Sequence, residues 1–172
     1  AQMAESCGIT MVTVHGRTRC QFYEGSADWR FIRLVKQAVT IPVIANGDIN
    51  DFADVTAALE QSGADGVMIG RGAYGRPWFI RQVMTYLQGG VVPPPPSLAE
   101  RLALIIEHLE SMMTHYGNHA GLRIARKHIG WYSKGLPQSA EFRAAVNNVD
   151  EAGKVRGLIY GFFEPLLERG TP

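Results

Sequence analysis

Three short runs of consecutive apolar, largely β-branched residues punctuate the first half of the chain, at 9–14 (ITMVTV), 41–45 (IPVIA) and 66–69 (GVMI). Apolar side chains on successive rather than alternate positions predict strands buried on both faces. Helical spacing fills the gaps. Residues 29–38 carry apolar side chains at 31, 32, 34, 35 and 38. The stretch 51–62 opens on Asp51, a capping residue type, and stops before Gly63. A third helix is predicted over 76–88, and the opening AQMAESCGI reads as the tail of a helix running into the first strand. Strand–helix units of this kind predict parallel pairing. A Rossmann-like sheet and a (β/α)8 barrel share the rhythm, and periodicity does not separate them.

The pattern breaks at 89–97, GGVVPPPPS. Four prolines in a row exclude helix interior and central strand, so this stretch is a stiff linker. Beyond it only helical patterns occur. Residues 98–116 are amphipathic behind a capping box of Ser97 and Glu100. Further helices are predicted at 120–134, 140–147 and 151–169, which together suggest a small bundle. The predicted organisation is a β/α part at 1–90, a linker at 91–97 and a helical domain at 98–172. The chain opens in the middle of a unit without an initiating Met, which reads as sequence missing upstream. The closing PLLERGTP reads as an ordinary frayed end.

Composition narrows this picture modestly. The apolar fraction of 46% supports one ordinary core or two small ones. Lys and Arg number 17 against 16 Asp and Glu, so net charge points to no partner class. No run of apolar residues is long enough to span a bilayer and no signal peptide is visible, so no membrane association is expected. Cys7 and Cys20 form neither a metal pattern nor a disulfide framework. A cytoplasmic protein without a metal is the expectation, with Cys7 packed in a turn and Cys20 in an open loop.

Chemistry concentrates where the strands end. Asn46-Gly47-Asp48 and Gly70-Arg71-Gly72 lie one β/α unit apart. Glycines there admit a phosphate close to backbone N–H groups, and Arg71 adds charge-assisted bonds. The bland alternative is a pair of tight turns. His15 ends the first strand and is placed either to bond a ligand or merely to bond a neighbouring loop. Arg17 and Arg19 are loop charges or contacts to an anionic polymer, and the sequence does not choose. In the helix 120–134, Arg123, Arg126, Lys127 and Lys134 share one face, while Leu122, Ala125, Ile129 and Tyr132 take the other. No acidic residue occurs between Glu110 and Glu141, a stretch that also contains His115, His119 and His128. A cationic face of this kind attracts phosphates, although most such faces are simply solvated.

Four segments occur in order: HGRTRCQFYEGSADW, IPVIANGDI, GADGVMIGRGAYGRPW and LRIARKHIGWYSKG. Together they resemble the tRNA-dihydrouridine synthase family, over essentially the whole chain, and RIARKHIGWY is similar to the bacterial B-type subfamily. The resemblance implies an α/β fold: strands six to eight of a TIM (β/α)8 barrel, followed by an all-α four-helix domain. It implies FMN as cofactor, NADPH or NADH as reductant and tRNA as partner, in a protein expected to be monomeric at full length. His15, Asn46, Gly47, Asp48, Gly70 and Arg71 would hold the flavin. Arg123, Arg126, Lys127 and His128 would engage tRNA. The implied reaction reduces selected D-loop uridines, position 17 for the B-type, to 5,6-dihydrouridine.

One departure stands out. The family's proton-donating cysteine, a flavin-contacting lysine and the first FMN loop belong to the other half of its barrel. Neither Cys7 nor Cys20 matches the family's cysteine motif. The expectation is therefore a C-terminal half, inactive alone, whose three strands leave open edges. Two other readings remain: a different FMN- or phosphate-binding (β/α)8 oxidoreductase, and an RNA-binding fragment without catalysis.

Overall fold

The computed structural model describes residues 1–170; the last two residues of the expected frayed end lie outside the described residues. The chain divides into two compact units. One comprises residues 1–73 and 79–92, the other residues 74–78 and 93–172.

The first unit is an α/β layer. Its elements are α1 (Gln2–Ser6), β1 (Val12–His15), α2 (Trp29–Ala38), β2 (Val43–Asn46), α3 (Phe52–Ser62), β3 (Gly66–Met68) and α4 (Trp78–Leu87), the last joining this unit from residue 79. The strands pair in the order β1-β2-β3, all parallel, with Val12 opposite Val43 and Ala45 opposite Val67. Side-chain carboxylates set the helix starts. Asp28 accepts from Phe31 N at 3.0 Å and Asp51 from Asp54 N at 2.8 Å. Gly63, with φ +65°, closes α3.

Two apolar clusters cover one side of the sheet. Ile32, Val39, Val43 and Ala45 pack with Val12 and Val14. Val55, Ala58, Phe79 and Val83 pack with Val67 and Ile69. Burial on both faces, expected from the apolar runs, is not what the structure shows. Val43 and Ala45 are buried, Ile44 and Asn46 only partly, and Thr13, His15 and Met68 are exposed. Helices lie against one face alone; nothing among the described residues of this unit covers the other. The first strand is also shorter than the apolar run, because β2 begins at Val43 and gives residues 9–11 no partner. Helix α4 starts at Trp78 rather than 76, since Pro77 disfavours helical geometry at Arg76. Cys7, expected to pack, is exposed, because α1 buries none of its residues.

The second unit holds α5 (Leu98–Tyr116), α6 (Asn118–Tyr132), α7 (Ser139–Asn147) and α8 (Ala152–Glu168). They share one core built on Ile105, Leu109, Leu122, Ile129, Val146, Val155, Ile159 and Phe163. The Ser97–Glu100 capping box forms, with Ser97 N donating to Glu100 Oε2 at 2.8 Å. No helix among the described residues is long and apolar enough to cross a membrane.

Candidate active site

Parallel register places His15, Asn46 and Met68 side by side at the carboxyl ends of β1, β2 and β3. Alternation along each strand turns all three to the face without helices. Two of these side chains are fixed by their neighbours. The Arg17 N–H donates to His15 Nδ1 at 3.0 Å. In the neutral ring the remaining proton therefore sits on Nε2, a donor for whatever approaches from the open side. The Asn46 amide nitrogen donates to Met68 O at 2.8 Å and stitches β2 to β3.

Immediately beyond β2 the backbone turns through two left-handed residues, Gly47 (φ +115°) and Asp48 (φ +55°). A β-carbon on Gly47 would lie 2.8 Å from Ala27 Cβ and 3.1 Å from His15 Cε1, so only glycine fits. Trp29 Nε1 donates to Gly47 O at 2.9 Å. Asp48 is one of few residue types that tolerate this conformation, and its carboxylate is fully engaged. Arg17 grips it at 2.9 Å through Nη1 and 2.5 Å through Nη2. Ala27 N donates to it at 2.8 Å and Arg71 Nη2 at 3.2 Å. Burial alone would raise the Asp48 pKa. The Arg17 and Ala27 hydrogen bonds and the charges of Arg17 and Arg71 outweigh it and hold the carboxyl below its ordinary value.

The two arginines on Asp48 differ. Arg17 has a side chain only 4% exposed and also donates to the carbonyls of Glu24 and Gly25. It is an internal brace, neither of the roles its loop position suggested. Arg71, 48% exposed, lies 4.6 Å from the centre of the exposed Tyr23 ring. The glycines flanking Arg71 also divide. A β-carbon on Gly70 would meet nothing, whereas one on Gly72 would run into the Ile49 carbonyl.

The expected tRNA-facing residues on α6 are likewise not equivalent. Arg123 and Lys127 are exposed. Arg126, 13% exposed, donates to Val149 O and to Asp150 Oδ1, tying α6 to the segment before α8. His128 meets His108 and Trp131 edge-on at 4.8 and 4.9 Å. Tyr132 completes this group, its hydroxyl 3.1 Å from His108 Nδ1, and burial pushes its pKa up to about 12. Beside it a recess of about 440 Å³ is lined by Trp78, Leu104, His108, Ser111 and Tyr132 among others.

Sequence reasoning thus found the ends of β2 and β3 but missed Arg17, Tyr23, Ala27 and Trp29 as parts of the same constellation. Pairings 21 and 31 residues apart, between loops of irregular backbone, leave no periodic signal.

A sequence model of the dihydrouridine synthase (Dus) family matches residues 1–160. A "Probable tRNA-dihydrouridine synthase" of Rickettsia conorii is 56% identical over 168 residues, covering 98% of this chain and 51% of its own length. That of Rickettsia bellii is 56% identical over 169 residues, with 98% and 52% covered. A "tRNA-dihydrouridine synthase B" of Xanthomonas axonopodis pv. citri is 47% identical over 172 residues, all of this chain and 52% of the relative. The chain spans about half the length of these curated relatives, and it belongs to the dihydrouridine synthase family.

Proposed function

We propose that this chain supplies the carboxyl-terminal strands of an FMN-binding (β/α)8 barrel and a helical tRNA-holding domain, in a cytoplasmic B-type tRNA-dihydrouridine synthase. The observation that carries the reading is the placement of Arg71. Its half-exposed guanidinium stands at the end of β3, beside a row of strand-end side chains on an uncovered face. A phosphate-bearing cofactor suits that corner. The Asp48 carboxylate is already matched by Arg17, so Arg71 brings net positive charge, and Gly70 leaves space beside it.

FMN, when bound and reduced by NADPH or NADH, supplies hydride for the C5–C6 bond of uracil. This chain's residues would do the holding. Arg71 would bind the phosphate, and His15 would offer its Nε2 proton to the ring or the base. Asn46 and Gly47 would shape the floor between them. Neither exposed cysteine matches the family's proton-donor motif, so the proton for C5 would come from a group elsewhere in the full-length protein. Arg123 and Lys127, exposed on a helix that itself carries no acidic residue, would meet the tRNA phosphates, with Arg126 bracing the helix and His128 supporting it from within. The target uridine, position 17 of the D-loop for a B-type enzyme, must leave its stack to reach a flavin.

The test uses a polypeptide of the relatives' full length. It is expected to copurify with FMN and to form dihydrouridine in unmodified tRNA. Arg71→Ala should lose flavin on dialysis. Lys127→Ala should weaken tRNA binding by roughly 1–3 kcal/mol and flatten its salt dependence. Flavin without tRNA affinity would instead favour another (β/α)8 oxidoreductase, and tRNA binding without flavin an RNA-binding role alone.

A further inference from the structure

Asp48 stands in the segment expected to touch the cofactor, yet both its oxygens are already used. Arg17 takes one on each nitrogen of its fork, Ala27 N adds a third bond and Arg71 a fourth. The loop between β1 and α2 and the turn after β3 therefore converge on one carboxylate at the end of β2. The tally is two guanidiniums against one carboxylate, and the surplus positive charge falls on Arg71, the exposed partner. An anion drawn to this corner meets Arg71 and is repelled by Asp48.

We infer that Asp48 is a positioning residue rather than a ligand: anchored by buried Arg17, it holds the Arg71 guanidinium at the phosphate corner, stacked over Tyr23. The inference rests on the proposed phosphate site and adds to it the residue that orients its cation. A long arginine loses considerable side-chain freedom when it grips an anion. A carboxylate that already restrains it lowers that cost, and the Tyr23 ring limits it from the other side. The left-handed backbone of Asp48 fits such a role, since the turn presents the carboxylate to two loops at once.

The experiment compares FMN with riboflavin, which shares the ring system but lacks the phosphate. Dissociation constants are measured by flavin fluorescence for the full-length polypeptide, for Asp48→Asn, for Arg71→Ala and for the double variant. Asp48→Asn is expected to weaken FMN binding about tenfold, the scale of one charged hydrogen bond. It should leave riboflavin binding nearly unchanged and add little in the Arg71→Ala background, because the two act as one unit. Equal losses for both flavins, or a full Asp48→Asn loss that persists without Arg71, would overturn the inference. A wild-type protein that binds FMN no tighter than riboflavin would overturn the phosphate site itself. Should Asp48→Asn strand Arg17 and fail to fold, the pair Arg17→Gln with Asp48→Asn removes both internal charges and serves for the same four measurements.

Discussion

Gly72 sits where the turn after β3 passes against the chain leaving β2, and its missing side chain is what allows the two backbones to meet. A methyl group there would strike the Ile49 carbonyl, a backbone atom that cannot swing aside. Gly72→Ala is therefore expected to cost roughly 2–4 kcal/mol, in the range of severe packing and backbone lesions. Urea unfolding measures it, and a variant within about 0.5 kcal/mol of wild type would contradict the contact. Sequence alone assigned Gly70 and Gly72 the same task of admitting a phosphate. The structure separates them: the space beside Gly70 is open, whereas Gly72 is held against the Ile49 carbonyl and has a structural task. Asp48 shows the same limit. Its residue type and its neighbour Gly47 marked the turn, but nothing in the order of residues reveals that Arg17 folds inward to meet it. A loop arginine at the surface and one buried against a carboxylate read alike until the loop's path is known.

Helices were legible almost residue by residue, because capping chemistry is local. Asp51 and Ser97 each accept from a backbone N–H three residues on, as their positions ahead of apolar periodicity implied, and Asp28, not singled out in the sequence, does the same for α2. Strand ends were less legible, because a strand lasts only while its neighbour does. What periodicity did not foretell is the half-buried pair of histidines between α5 and α6. Burial lowers the pKa of His108, and burial, then the charges of His108 and Lys127, lower that of His128. Both fall below the ordinary 6.5, so the folded state binds protons less readily than the unfolded chain. Stability is therefore full above about that value, declines as pH falls below it, and levels off once the folded-state values are passed. Urea midpoints taken at neutral and mildly acidic pH should show this decline, and His128→Gln should reduce it. An identical pH dependence in the variant would place the titration elsewhere.

For the molecule as a whole, the exposed apolar side chains are the dominant physical fact. Ile9, Met11 and Met68 belong to the strand region, and Phe31 and Leu34 line the outer side of α2. Large apolar groups gathered around a three-stranded sheet with open edges favour association. The 172-residue chain on its own is accordingly expected to bind a hydrophobic dye and to grow in mass with concentration. Light scattering that reports one constant monomer mass would refute this. The division into units carries a different consequence. Residues 74–78 belong with the helices, while residues 79–92 return to the sheet unit. Tyr74 stacks on Trp131 at 3.9 Å, and Trp78 packs at 6.4 Å from Tyr132. A single break in the gene at the proline run would thus separate the helices from a five-residue strap that they help to hold. Recombination that trades one helical module for another among relatives must carry YGRPW along with it, or exchange partners on both sides of the cut together.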